Sequence, residues 1–333
     1  MEFLKQLYSK TFGVAPDYWE ALPASGSARQ YFRLSAPKQK PAIAVYNPNS
    51  TENATFVAYS QHFLKHKLNV PLIYAVDEAN NGYLQQDLGN VSLLDYVLSR
   101  PQPENLKNAY QKALSKLAFM QLYAGVDLDF SVSGAYQHFD KEVMGWDLNY
   151  FKYWLLLPSR IAFDEYKLAI DFNQLLRQLE AANQAYFLYR DFQARNVMIY
   201  AQELYFIDYQ GAKQGALQYD VASLLYQAKA DLSDTMREEL LSYYLGEVGQ
   251  YIRVEELEFR QQYDRYVLLR LLQVLGSYGY RGFYEQKPHF LSSLPYGLEN
   301  LKNLQQKKSY LFAQLPELSR VIGLLVDKYG KIN

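Results

Sequence analysis

The stretch from Tyr189 to Asp208 sets the tightest constraint on what this chain can fold into. It reads Tyr189-Arg190-Asp191-Phe192-Gln193-Ala194-Arg195-Asn196, continues through two short apolar runs, 197–200 and 204–207, and ends at Asp208. An Asp is followed five positions on by an Asn, and twelve positions later by a second Asp. The runs predict a hairpin over 197–207, a rigid way to bring Asn196 and Asp208 back to one ion. These residue types suit phosphoryl transfer. That reaction needs an acceptor hydroxyl oriented and deprotonated beside a γ-phosphate, with divalent metal bridging the phosphate oxygens. Mg²⁺ takes oxygen ligands and usually only one or two protein carboxylates. Asp191 would be the base, Asn196 a neutral oxygen ligand and Asp208 the main metal carboxylate. Taken one at a time, Asp191 reads as a capping residue and Asp208 as a strand-end residue.

The rest of the chain predicts the setting of that segment. With 333 residues, 49% of them apolar, it is long enough for two lobes and a sizeable core. Residues 2–12 predict an amphipathic helix. Leu22 to Leu34 reads as strand, tight loop and strand, and Ala42 to Tyr46 as a short buried strand. A helix opens at 49–53, with Ser50 or Thr51 as its cap, and runs to about Lys67. Strands follow at Leu72 to Val76 and Gly82 to Gln86. Helical periodicity then takes over at 91–98, 104–123, 139–157 and 164–184, broken by strand-like pieces at 186–192, 197–200 and 204–208. It resumes after Asp220 to about 231, and again at 234–248, 254–278 and 297–312. The expected fold class is α+β and bilobal. Residues 1–86 form a small antiparallel-sheet lobe with one inserted helix, 87–91 a hinge, and 92–333 a larger, mostly helical lobe.

Charge and composition narrow the function classes. The 34 basic and 35 acidic residues nearly cancel, which gives no general reason to expect a nucleic-acid or anionic-membrane partner. Without cysteine there are no disulfides, thiolate metal sites or Cys nucleophile. Residues 1–10 lack the continuous apolar core of a signal peptide, and no apolar run reaches the roughly 18 residues of a spanning helix. A cytoplasmic protein is expected. The four histidines, His62, His66, His138 and His289, look too scattered for a metal-site pattern. The 32 tyrosines read as half-buried filler or as stacking surfaces for sugars or bases.

The order Arg190-Asp191, Asn196, Asp208 resembles the protein-kinase catalytic signature, with Tyr189 where a His is common and Asp208-Tyr209-Gln210-Gly211 in the D-F-G neighbourhood. The wider string, continuing through Gln218-Tyr219-Asp220-Val221-Ala222-Ser223-Leu224-Leu225, resembles the aminoglycoside phosphotransferase family. More narrowly it is similar to the bacterial branch of anomeric N-acetylmuramate/N-acetylglucosamine kinases of cell-wall recycling. Residues 26–34, 52–56 and 84–89 also match that branch. The resemblance implies a protein-kinase-like fold, ATP and Mg²⁺ as cofactors, and Arg190 and Asp191 as the catalytic pair. Asp220 would brace the catalytic loop, and the hinge, with Gln86, Asp87 and Leu88, would offer backbone groups to adenine. Ser25, Gly26 and Ser27 form the candidate phosphate loop, where small residues let backbone N–H groups approach an anion. One departure stands out. Most kinases of this fold carry a Lys on the third strand, whereas here that strand reads Ala42-Ile43-Ala44-Val45-Tyr46, and the similar sugar-kinase branch lacks the Lys as well. Arg29 or Arg33 is the expected replacement, and Glu52 could orient such a cation or serve only as a first-turn helix acid.

The acceptor side is less determined. Glu142, Trp146 and Asp147 combine carboxylates with an aromatic face, which suits sugar hydroxyls or amines and equally an ordinary amphipathic helix. Arg270 lies in an apolar helix and needs a partner, either a structural ion pair or the substrate. The expected activity is ATP-dependent phosphorylation of a hydroxyl on a small molecule, a sugar or amino sugar, with the anomeric hydroxyl as one site. A kinase of another small alcohol, aminoglycoside or choline-like, is the nearest alternative. A non-catalytic nucleotide-binding pseudokinase is the other class. Oligomeric state and the choice of ATP over GTP are not encoded in any motif.

Overall fold

The computed structural model describes residues 1–23 and 28–330. In chain order the elements are α1 (Glu2–Phe12), β1 (Tyr18–Ala21), β2 (Gln30–Ser35), β3 (Ala42–Tyr46), α2 (Ser50–Lys65), β4 (Ile73–Asp77), β5 (Gly82–Gln86) and α3 (Leu93–Leu98). Then come α4 (Pro103–Phe119), α5 (Lys141–Phe151), α6 (Glu165–Leu179), β6 (Tyr186–Leu188), β7 (Val197–Tyr200), β8 (Glu203–Phe206) and β9 (Lys213–Gly215). The chain closes with α7 (Leu217–Leu225), α8 (Asp234–Val248), α9 (Glu256–Gly279), α10 (Pro288–Leu291), α11 (Leu294–Lys307), α12 (Ser309–Phe312) and α13 (Pro316–Tyr329). It folds into two compact units. One comprises Met1–Gln102, Ala124–Gln137 and Ala194–Lys213, the other Pro103–Tyr123, His138–Gln193 and Gln214–Asn333. Among the described residues no helix is long and apolar enough to cross a membrane.

The first unit is built on a five-stranded sheet, order β1-β2-β3-β5-β4, with antiparallel neighbours throughout. Alternation along β2 divides the work between its two faces. Phe32 and Leu34 are buried against Leu4 and Tyr8 of α1, which lie one helical turn apart. Tyr31 and Arg33 point to the other face. The register places Arg33 opposite Ile43 and Ile43 opposite Gln85, so one face carries a row of side chains across three strands. Asn49 caps α2, its side chain accepting from the Glu52 amide, rather than Ser50 or Thr51. The cap lies outside the periodic run because an N-cap residue is itself non-helical.

The second unit is helical and centres on α9. Over 267–275 that helix buries Val267, Leu268, Leu269, Leu271, Leu272 and Leu275, so this stretch is apolar nearly all round, as a central helix is. The strand expected over 186–192 stops at Leu188. Its continuation is prevented because Asp220 takes the amides of Tyr189 and Arg190. Helix α13 was not among the helices expected from the sequence; Pro316 opens it and Leu318, Val321, Ile322 and Leu325 bury its apolar stripe.

In the first unit, β7 and β8 form the hairpin that sequence spacing predicts, with Val197 opposite Phe206. The amide of Ile207 donates to the Asn196 carbonyl at 3.1 Å, extending the ladder to the residues that flank Asp208. Its two-residue turn is Ala201-Gln202, with φ of 50° and 65°. Both values belong to a left-handed turn that normally uses Asn-Gly. A side chain there costs about 1 kcal/mol per residue. Replacing the pair by Asn-Gly is therefore expected to raise unfolding free energy by about 1 kcal/mol, read as a higher urea midpoint at unchanged slope. An unchanged or lower midpoint would show that the turn carries no strain.

Candidate active site

Ser25, Gly26 and Ser27, the candidate phosphate loop, lie outside the described residues. The rest of the expected nucleotide-binding set is in the first unit, around a cavity of about 270 Å³. Its walls come from the second sheet face, Tyr31, Arg33, Ile43 and Gln85, and from the segment 86–89. Met198 and Ile207 of the hairpin add apolar surface, while Arg29, Asn196 and Asp208 supply polar groups. Ile43 is the cavity-lining residue of β3.

A cation reaches that cavity from another strand. Arg29, just before β2, is only 4% exposed. Its guanidinium pairs with Glu52 Oε2 at 2.8 Å and Asp208 Oδ1 at 3.3 Å, and donates to the Tyr31 hydroxyl at 3.2 Å. Burial alone would weaken its charge, but Tyr31, Tyr83 and Asp208 more than offset this and its pKa is raised. Arg33 does something else. It grips Asp87 through Nε at 2.6 Å and Nη2 at 3.0 Å, and donates to Asn90 Oδ1 at 2.7 Å. Of the two arginines, Arg29 is the one beside Asp208, whereas Arg33 fastens β2 to the 87–90 segment. Asp87 also accepts from the Gly89 amide, and the Gln86 amide donates to the Leu72 carbonyl.

Asp208 follows the hairpin at φ +70°, a conformation that Asp tolerates better than most residues. Tyr209 holds it there. The ring is fully buried, stacks on Phe56 at 5.0 Å, and its hydroxyl shares a 2.5 Å hydrogen bond with Ser60 of α2. Gln210 Nε2 donates to Asp208 Oδ1 at 2.8 Å, and Asn196 Nδ2 lies 3.4 Å from Oδ2. The hairpin thus does bring Asn196 and Asp208 together. One carboxylate and one amide make a hard oxygen-donor pair, which fits Mg²⁺ or Ca²⁺ better than a softer metal.

The second unit holds the expected base. Asp191 follows Arg190, whose φ of +80° is an outlier for a long side chain. The surrounding structure over-determines that turn. Asp220, fully buried at the start of α7, accepts from the Tyr189 amide at 2.7 Å and the Arg190 amide at 3.0 Å. Gln121 Nε2 reaches the same carboxylate at 3.3 Å. Arg190 itself forms a fork with both oxygens of Asp147, at 2.8 and 2.9 Å, and donates to the Tyr219 hydroxyl at 2.6 Å. Its guanidinium also lies 4.3 Å over the Phe139 ring. Phe192, on the far side of Asp191, is buried against Tyr189. Arg190 is held as an anchor for the loop.

The acceptor candidates separate. Arg270, 3% exposed, directs Nη2 at Asp191 Oδ1 at 3.1 Å and Nη1 at Tyr219 and Gln273. Burial opposes its charge, yet Tyr219 and Asp191 raise its pKa. The Asp191 side chain is 46% exposed, so it keeps an open side while one oxygen faces a cation. Asp147 is engaged by Arg190 through both oxygens. Glu142, in the first turn of α5, and Trp146 are exposed. The Arg270–Asp191 pairing was missed from sequence; the one signal was an Arg in an otherwise apolar helix.

A family model matches residues 19–257, under the description phosphotransferase enzyme family. The chain belongs to the phosphotransferase enzyme family. This phosphotransferase is 24% identical over 307 residues to an N-acetylmuramate/N-acetylglucosamine kinase of Pseudomonas aeruginosa, covering 90% of this chain and 87% of the relative. A kinase of the same name from Neisseria meningitidis serogroup B is 24% identical over 317 residues, 92% and 89% of the two chains. Among solved structures, amicoumacin kinase hAmiN, in complex with AMP-PNP, Ca²⁺ and Ami, superposes with a TM-score of 0.64 at 12% identity, covering 92% of this chain and 93% of that one. A choline/ethanolamine kinase family protein from Mesorhizobium loti gives 0.63 at 14% identity, over 97% and 98%. The phosphotransferase therefore has the α+β kinase-like fold and is an enzyme, a small-molecule kinase.

Asp220 generates a pH prediction for the phosphotransferase. Burial pushes its carboxyl up to about 7, against the Tyr189 and Arg190 amides, which pull it down. The usual value is 3.8, so between about 4 and 7 the folded chain keeps a proton that the unfolded chain has released. This contribution is complete below pH 4 and is lost as pH rises through 7, at most about 1.4 kcal/mol per pH unit. Asp220→Asn removes it. The stability difference between wild type and variant, from urea unfolding at pH 4.5 to 8, is expected to shrink with rising pH. Parallel curves would mean that Asp220 is ionised throughout.

Proposed function

We propose that the protein transfers the γ-phosphate of ATP to a hydroxyl of a small sugar, with the anomeric hydroxyl of an N-acetylated amino sugar as the acceptor position. The observation that carries the nucleotide half is the Arg29–Asp208 pair on a cavity whose apolar wall includes Ile43, Phe56, Leu88, Met198 and Ile207. An apolar slot suits a purine, and a buried cation beside an Asn–Asp oxygen pair suits its phosphates. Arg29, oriented by Glu52, takes the part of the Lys that β3 lacks. The acceptor half rests on the names of the relatives and on Asp147. Because Arg190 occupies both Asp147 oxygens, that carboxylate is not offered to a cationic acceptor, which favours an uncharged or anionic sugar over a choline-like or aminoglycoside substrate. A cytoplasmic setting fits a reaction that consumes ATP.

In this mechanism the acceptor oxygen forms a bond to the γ-phosphorus, the bond to the bridging oxygen of the leaving ADP breaks, and Asp191 takes the hydroxyl proton. Arg270 fixes the Asp191 carboxylate in one orientation and leaves its exposed side for the substrate. Asp220 and the Arg190–Asp147 fork hold the backbone that presents it. Asn196 and Asp208 are the residues that would hold Mg²⁺, which when bound neutralises charge on the phosphate oxygens. Arg29 contributes charge at the same place without leaving the fold.

ADP release should be measured with N-acetylglucosamine, N-acetylmuramate, choline and kanamycin, followed by ³¹P NMR of the product. Turnover with the N-acetylated sugars and a phosphorus signal coupled to the anomeric proton are expected. Turnover confined to choline or kanamycin would overturn the sugar assignment. Asp191→Asn is expected to lower kcat about 10²- to 10⁴-fold with little change in the KM for ATP. A variant within threefold of wild type would remove Asp191 from the base role. Arg29→Ala should raise the KM for ATP about tenfold or more, with partial recovery in Arg29→Lys; equal ATP affinity in all three proteins would assign the phosphates to other groups.

A further inference from the structure

We propose that His62, His66 and Asp127 form a binding site for a first-row transition dication such as Zn²⁺, built from residues that take no part in phosphoryl transfer. His62 and His66 lie four apart on α2, one turn along the same face, with ring centroids 4.7 Å apart. Asp127 comes from the segment after α4. Its Oδ1 is 3.6 Å from His62 Nε2 and 3.3 Å from His66 Nε2. One ligand atom from each of the three residues lies within 4.8 Å of the others.

Those spacings can be set against a real coordination sphere. Metal–ligand bonds of about 2.0–2.1 Å in a tetrahedron put neighbouring ligand atoms roughly 3.3–3.4 Å apart. Two of the three edges already have that length to within a few tenths of an ångström. Two imidazole nitrogens and a carboxylate oxygen suit Zn²⁺, Co²⁺, Ni²⁺ or Cu²⁺, whereas Mg²⁺ prefers oxygen throughout. The imidazoles are largely buried, 16% and 21% exposed, while Asp127 is 69% exposed. The site is thus held on its protein side and open on the other, where water completes the sphere.

The Ala124 carbonyl, at the end of a π-helical turn over Met120–Ala124, lies 2.5 Å from His62 Nε2. That nitrogen therefore carries the ring proton when no ion is bound and donates it to Ala124. Binding an ion therefore requires the His62 ring to turn and give up this hydrogen bond, because the carbonyl oxygen stands where the lone pair of Nε2 would meet the metal. Irregular helical turns of this kind recur where side chains are presented for function.

The test is Zn²⁺ and Co²⁺ titration of the full chain in millimolar Mg²⁺, which fills oxygen-donor sites. One equivalent of Zn²⁺, read by competition with a chromophoric chelator, is expected, and Co²⁺ should give a visible absorption band that Zn²⁺ bleaches. The double variant His62→Ala, His66→Ala should weaken Zn²⁺ binding about 100-fold or more, and Asp127→Asn about tenfold. All variants should keep the wild-type kinase rate in Mg²⁺ alone. Wild type that binds no Zn²⁺, or a folded double variant that still binds one equivalent, overturns the site. Should the double variant fail to fold by circular dichroism, Asp127→Asn decides, because its exposed side chain can change without disturbing the core; unchanged affinity there overturns the proposal.

Discussion

A buried carboxylate with no water around it must find donors or lose its charge. Asp220 finds two of them in the backbone of the segment that carries Asp191. That pairing ends β6 at Leu188, turns the chain and stabilises Arg190 in a left-handed conformation that its side chain would otherwise disfavour. Once the turn is set, the Arg190 side chain is directed at Asp147, and Asp191 emerges half-exposed against Arg270. Four ionised or hydrogen-bonded groups hold one short loop. Removing any of them leaves a neighbour buried and unmatched, so the loop behaves as a unit.

The first unit solves a similar problem with a different partner set. Asp208 must present oxygens to solvent-accessible space while its backbone sits in a strained conformation. Tyr209, stacked on Phe56 and hydrogen-bonded to Ser60, fixes the position by packing. Arg29 fixes the charge. Because Arg29 also pairs with Glu52 in the first turn of α2, the helix and Asp208, two residues beyond β8, are linked through one guanidinium. The planar fork of Arg can serve two carboxylates at once, which a Lys ammonium does with less geometric definition. This offers a physical reason why a chain with Ile43 on β3 can do without a strand Lys.

Strands β2 to β5 were legible because short apolar runs lie between Gly, Pro or Asn, whereas β1 (Tyr18–Ala21) ends before Leu22, where the first strand was expected. Ala42–Tyr46 and Gly82–Gln86 occur where the apolar runs and the flanking breaks put them. The hairpin under Asn196 and Asp208 was legible for the same reason, although its turn lacks the usual Asn-Gly. Helix α13 was not read, although Pro316 at its start and its apolar stripe are both visible in the sequence. Neither the partner of Arg270 nor that of Arg190 could be read, because both lie far away in sequence.

The residue types and their spacing, by themselves, determined the family, the class of reaction and the hairpin, because these depend on local order along the backbone. Tertiary structure alone decided which arginine faces Asp208, why Asp147 is engaged, and that two histidines dismissed as scattered share an aspartate sixty-one positions beyond His66. Charged side chains act over a few ångströms of space, and only the folded chain states which residues are that near.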